Sequence, residues 1–303
     1  MPLALILAML FGCTPDTPPE ALSWQERWEL LALTNDDRIL DVQWMAGNTG
    51  VLRGQGRLHL DLWTDAQPPI RFARHSPPDA VDIPPERDAI TLSQDALLRV
   101  GEGWVGRVDE PNEIAGQFRL TPTARGQRRV ETWAVGHRQW SVEALSTEVQ
   151  VTGGVRSGPR GGLFSGRGVL LHTGGDARVG ISRSVMVTFH PKLSMGIIQE
   201  GEGQLAWAVS GDTALPLDEV RATFATDGAV EVQGPSLSIS LSPDGVKGVT
   251  DPLGHLLAVE AMLAGRPMRT VFRATGRATV GADSFPIEAV VLRVASGGEV
   301  DLP

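Results

Sequence analysis

The chain has 303 residues, 27 Lys and Arg against 36 Asp and Glu, and a net charge of −9. A deficit of cations argues against nucleic acid as a partner, because that role needs a basic face, and an anionic chain gains nothing from anionic lipid. Apolar residues make up 42% of the chain and Cys13 is the only cysteine, so a packed core is available and no intrachain disulfide supports it.

The first predicted element is the apolar run Leu3-Ala4-Leu5-Ile6-Leu7-Ala8-Met9-Leu10-Phe11, closed by Gly12-Cys13 and followed by the polar, Pro-rich Thr14–Glu20. It is about half the ~20 residues that a spanning helix needs and has the length of a signal-peptide apolar region. With a small residue before the cysteine, Leu-Phe-Gly-Cys13 resembles a bacterial lipoprotein signal, although no Lys or Arg precedes the run. The resemblance implies cleavage before Cys13 and acylation of its thiol. It places the protein in the bacterial cell envelope, tethered to the inner or outer membrane with its folded part in the periplasm or outside the cell. Residues 1–12 are then signal and 13–23 a polar linker, and any membrane attachment is expected from the acyl anchor.

Beyond the linker, period-two alternation dominates, the mark of strands with one buried face. Ser23–Leu33 is read as opening with a turn of helix. Leu40, Val42 and Trp44 share a face, as do Leu58, Leu60 and Leu62 against Arg57, His59 and Asp61. Ile114, Gly116, Phe118 and Leu120 alternate with Ala115, Gln117 and Arg119; Leu237, Ile239 and Leu241 interleave with serines. Further strands are expected at 29–34, 69–75, 96–100, 129–134, 139–144, 148–155, 178–189, 204–209, 219–224, 229–233, 269–280 and 285–294. Leu253–Leu263 fits helix or strand equally. Thr226-Asp227-Gly228 and Pro243-Asp244-Gly245 are hairpin signals. The pattern predicts an all-β, antiparallel protein, two lipocalin-like barrels or sandwiches in tandem. The Gly-rich stretch Gly153–Gly162 marks either a linker or a long hairpin loop. Taken as a linker, it divides the chain into domains at 24–155 and 156–303. Gly50–Leu60 and Gly162–His172 echo one another, as an internal duplication would.

Common enzymatic signatures are absent: no Gly-x-Ser-x-Gly, no Ser-x-x-Lys and no phosphate loop. The histidines (His59, His75, His137, His172, His190 and His255) lie far apart with no metal-ligand spacing, so neither a metal nor another cofactor is expected. Asn35-Asp36-Asp37 and Glu200-Gly201-Glu202 read as solvated turns. Of the eight tryptophans, Trp44, Trp104, Trp133 and Trp140 are candidates to line an apolar cavity for a lipid or isoprenoid; core packing is the alternative.

The segment Gly166-Arg167-Gly168-Val169-Leu170-Leu171-His172-Thr173-Gly174-Gly175 resembles a signature of the tandem lipocalin-like superfamily that includes carotenoid 1,2-hydratase and the AttH-type proteins. That signature reads Gly-Tyr-x-Asp-His-Asn-Trp-Gly and opens the second barrel. Gly168, His172 and Gly175 match; Val169, Leu171, Thr173 and Gly174 depart from it. The resemblance implies a histidine with a nearby acid that protonates a double bond. Leu171 replaces that acid, so catalysis by this route looks impaired and a binding role gains weight. His172 and Asp176 are the candidate catalytic residues, with Glu143 and Glu148 as further acids; a strand-end histidine satisfied by backbone is the alternative. A tethered structural or interaction module remains open beside the binding and enzymatic readings.

Overall fold

The computed structural model describes residues 24–49, 52–64, 68–135, 138–176, 182–217, 219–250 and 268–295. Cys13 and the 253–263 segment lie outside these residues. The described chain is antiparallel β-sheet throughout, with one short 3-10 turn at Pro78–Ala80. It divides into two units, residues 1–179 and 180–303.

The first unit contains β1 (Trp24–Thr34), β2 (Ile39–Thr49), β3 (Leu52–Trp63), β4 (Ile70–Ser76), β5 (Val81–Asp82), β6 (Ile90–Leu92), β7 (Asp95–Val100), β8 (Gly103–Glu110), β9 (Ile114–Pro122), β10 (Arg129–Val135), β11 (Arg138–Ser157) and β12 (Arg160–Asp176). They form one sheet in the order β4-β3-β2-β1-β12-β11-β9-β8-β7-β6-β5, with β10 also paired to β11. The sheet curls into a nearly closed barrel. Its two ends meet at a seam where a Cβ on Gly56 of β3 would lie 2.5 Å from Leu92 of β6 and 2.8 Å from Val81 of β5. Only glycine allows that approach. Arg74 of β4 fastens the seam: its guanidinium pairs with Asp95 of β7 and Glu110 of β8 and donates to the Asp109 carbonyl.

Alternation sets the interior. Leu30 and Trp28 of β1, Leu40, Val42 and Trp44 of β2, and Leu58, Leu60 and Leu62 of β3 point inward and are fully or nearly fully buried. From the facing wall come Trp104, Phe118, Leu120, Val149 and Val151, in the same apolar cluster. The Trp44 and Phe118 rings are 6.1 Å apart. Gly106 yields the space for this packing, since a Cβ there would fall 2.2 Å from the Phe118 ring.

The second unit is a half-barrel sheet. It comprises β13 (Arg183–His190), β14 (Leu193–Glu200), β15 (Gly203–Ser210), β16 (Thr213–Ala214), β17 (Arg221–Phe224), β18 (Val230–Gly234), β19 (Leu237–Thr250), β20 (Met268–Val280) and β21 (Asp283–Ala295). Their order is β16-β15-β14-β13-β21-β20-β19-β18-β17. Met186, Ile197, Ile239, Leu241, Phe272 and Ile287 belong to its separate core.

Three expectations are corrected. Trp24–Thr34 is strand from its first residue; Trp24, Trp28 and Leu30 alternate with Gln25, Arg27 and Glu29, a period no helix would bury. Gly153–Gly162 is no linker: it is the end of the β11–β12 hairpin, paired to Ser157↔Arg160, so the units divide near residue 180 instead of 155. The 162–172 segment therefore belongs to β12, which closes the first unit against β1. Of its echo at 50–60, the described residues 52–60 fall on β3 of the same sheet, so the two do not mark the starts of two barrels.

Candidate functional site

His172 sits inside the first unit, on the β12 rung that joins Trp28 of β1 to Glu143 of β11. Register alone brings these three onto one face, although 115 residues separate Trp28 from Glu143 in the chain. The imidazole stacks on the Trp28 indole with centroids 4.6 Å apart and planes inclined by 27°. Its Nδ1 lies 3.8 Å from Glu143 Oε2, and its Nε2 lies 3.6 Å from Oε2 of Glu26, the inward residue one rung along β1. These separations suit an ion pair and exceed a direct hydrogen bond.

Each carboxylate has a cation on its far side. Arg128, just before β10, donates to Glu143, and Arg87 donates to Glu26. Arg87 comes from the 83–89 segment between β5 and β6, and its carbonyl accepts the Trp28 indole N–H at 2.9 Å. The result is an alternating row: Arg128, Glu143, His172, Glu26, Arg87. Glu26 and His172 are buried, while Glu143 keeps 15% of its side-chain surface exposed.

The row decides the protonation states. Burial pulls the His172 pKa down, but Glu143 and Glu26 outweigh it and hold the value above 6.5. Burial pushes Glu143 up, and His172 with Arg128 outweighs that, holding it below 4.5. The row therefore favours the protonated imidazole, a proton donor, beside an ionised Glu143 carboxylate, an acceptor. Such a pair can deliver a proton to one atom and remove one from another.

Gly174 occupies the next inward position on β12, between Glu26 and Ser141. A Cβ there would touch Glu26 Cγ at 3.3 Å, so glycine leaves room for the buried Glu26 side chain beside His172.

The other sequence candidates fall elsewhere. Asp176 shares the inward face of β12 but stands four residues on, ~13 Å along the strand, opposite Trp24. Glu148 sits at the β11 irregularity and pairs with Arg125 at 3.1 Å and Arg167 at 3.4 Å. Trp44 and Trp104 are packed in the barrel core, and the Trp104 N–H donates to the Asp88 carbonyl at 2.8 Å. Trp133 and Trp140 face each other across β10 and β11 on the opposite face of the sheet from Glu143, so the four tryptophans do not share one cavity wall. Trp28, Glu26, Arg87 and Arg128, which build the site, were not among the candidates. Leu171 loses its significance: a strand neighbour of His172 points to the other face, and the acids reach the imidazole from β1 and β11.

Three clefts of the first unit lie away from His172. One of about 550 Å³ is lined by Asp36, Arg38, Leu62, Ile70 and Leu163. One of about 780 Å³ runs over the outer face of β8, β9 and β11, and one of about 400 Å³ lies beside Arg71, Asn112 and Pro159. Among the described residues, no group of three or more His, Cys, Asp or Glu side chains is placed to hold a metal ion.

No protein-family model matches the chain, and no curated protein sequence does. Solved structures do. A putative AttH from Nitrosomonas europaea is 9% identical with a TM-score of 0.60, covering 94% of this chain and 99% of its own. CghA is 10% identical with a TM-score of 0.61, covering 94% and 96%. Kievitone hydratase from Nectria haematococca is 10% identical with a TM-score of 0.56, covering 94% and 95%. At this identity the likeness is one of fold: the chain has the lipocalin-like β-barrel architecture these proteins share.

Proposed function

We propose that the first unit takes up an apolar small molecule, a lipid or isoprenoid, and transfers a proton to or from it through His172, as in the addition or removal of water across a double bond. The observation that carries this reading is the His172 imidazole held between Glu26 and Glu143, at 3.6 and 3.8 Å, against the Trp28 ring. A histidine kept only for packing needs no buried carboxylate on one side and a half-buried one on the other, each with its own arginine, because burying charge is costly. The shared fold with a protein named as a hydratase supports the same reading. In this scheme His172 is the proton donor, Glu143 the acceptor that activates water, and Glu26 the group that keeps the imidazole charged and oriented.

The test is incubation with an acyclic isoprenoid olefin in D2O enriched in 18O, followed by mass spectrometry. Wild-type protein is expected to place deuterium and solvent oxygen on the former double bond. His172→Gln should slow this by ~10²-fold or more. Incorporation no faster than in the variant, with the olefin still bound, would leave binding alone as the role.

The second part of the reading concerns location. Leu-Phe-Gly-Cys13 and the polar stretch behind it support a protein acylated at Cys13 and held at a membrane of the bacterial envelope.

A further inference from the structure

The net charge of −9 is unevenly spread. On the outer face of the first unit, Leu98, Val105, Arg119, Thr152 and Ser165 form one rung across β7, β8, β9, β11 and β12. The next rung carries Arg107, Gln117, Gly154 and Leu163, and the one after it Asp109, Ala115 and Arg156. Three arginines thus face outward against one carboxylate. Between them runs the cleft of about 780 Å³, whose lining includes Val100, Val105, Phe118, Leu163, Arg119 and Arg156 and no acidic residue. Leu163 is 85% exposed, Val100 51% and Leu98 45%. Leu163 also borders Asp36 and Asp37 in the neighbouring cleft, but across β8, β9 and β11 the bare apolar side chains lie among arginines, and such a face on an acidic protein suits a covering partner that is both anionic and oily.

We infer that this outer face of β7, β8, β9, β11 and β12 docks on an anionic phospholipid bilayer, with Arg107, Arg119 and Arg156 at the headgroups and Leu98, Val100 and Leu163 in the interfacial layer. Charge complementarity chooses the occupant. A second copy of this chain is anionic overall but offers no acyl layer for Leu163, whereas an anionic leaflet supplies both. Arginine suits the role because it stays charged and can bond phosphate oxygens in pairs. A basic patch beside a single lipid anchor makes membrane attachment stable where either signal alone is marginal. The inference is independent of His172 and of acylation at Cys13.

The test is flotation of the full chain bearing Cys13→Ser with vesicles of phosphatidylcholine alone or with about one-third phosphatidylglycerol at low ionic strength. The Leu3–Phe11 run has no charge and does not discriminate between the two. The protein is expected to partition at least tenfold more strongly onto the anionic vesicles and to lose that preference in Arg119→Glu/Arg156→Glu. Leu163→Ser should weaken partition onto the anionic vesicles severalfold, and Arg221→Glu, an exposed arginine of the second unit, should change nothing. Equal partition onto both vesicles overturns the inference, and so does a double variant that keeps the preference. Concentration-dependent dimers broken by the same two substitutions would overturn it as well, by assigning the face to a second copy.

Discussion

Two carboxylates around one imidazole make a site whose strength depends on pH from both sides. The His172 pKa is raised above 6.5, so its contribution to stability is complete below that value and is lost as pH rises through the raised one. The Glu143 pKa is lowered below 4.5, so its contribution is complete above that value and is lost as pH falls through the lowered one. Both are present in full between 4.5 and 6.5. His172→Gln is expected to remove the alkaline fall in melting temperature attributable to this group; a wild-type and variant pair with parallel profiles from pH 6 to 9 would contradict it. Carbon-detected NMR of the imidazole gives the direct reading. The titration of His172 should sit above the ordinary histidine value, and Glu143→Gln should move it down. Trp28→Leu keeps an apolar neighbour but removes the stacked ring and the bond to the Arg87 carbonyl. It should weaken activity more than stability if the ring orients the imidazole.

At the scale of the strands, the alternation in Leu58, Leu60 and Leu62 was legible because one face is wet or polar and the period is two. Ile90–Leu92 and Leu193–Glu200 escaped notice for opposite reasons. The first is three residues long; the second is buried on both faces over most of its length, so Ser194 and Glu200 are buried with the apolar residues and no wet face marks its period. Arg160–Asp176 was hidden by its glycines, which carry no side chain to pattern. The His172 site was half legible. The histidine and Glu143 could be named, but Glu26 is 146 positions from His172, and only the β1–β12 register joins them. The seam holds the same lesson in energetic form. Arg74 joins strands that lie at opposite ends of the sheet order, and Asp95 beneath it is fully buried. Arg74 is half-buried, with 18% of its side chain exposed, but its removal leaves the buried Asp95 carboxylate uncompensated, so Arg74→Ala should cost ~3 kcal/mol in urea unfolding. Arg74→Met with Asp95→Leu should recover most of that, since an apolar pair needs no counter-charge. If the double variant is no better than the single, the seam depends on the guanidinium for more than charge compensation. Gly106→Ala tests the core beside it: its Cβ would enter the Phe118 ring, and ~1–3 kcal/mol of overpacking is expected.

For the whole molecule, periodicity predicted the class of fold well and composition predicted the use of charge poorly. An average of −9 says nothing of a sheet face that carries one outward arginine on each of β8, β9 and β11, because the period that puts leucines inside also sorts the charges outside. The proposed membrane attachment would then rest on two separable parts, the acyl chains proposed on Cys13 and the arginine face inferred on the first unit. Metabolic labelling with an alkynyl fatty acid should mark the wild-type chain and not Cys13→Ser. Fractionation of cells should separate the two contributions. Cys13→Ser alone is expected to leave a salt-extractable membrane fraction, Arg119→Glu/Arg156→Glu alone a pool that high salt does not release, and the combined variant a soluble protein. This order follows from the nature of the forces: buried CH₂ groups are indifferent to ionic strength, whereas charges at the bilayer surface are screened within a Debye length of ~8 Å. A Cys13→Ser protein that stays bound at high salt would mean that neither part explains its attachment.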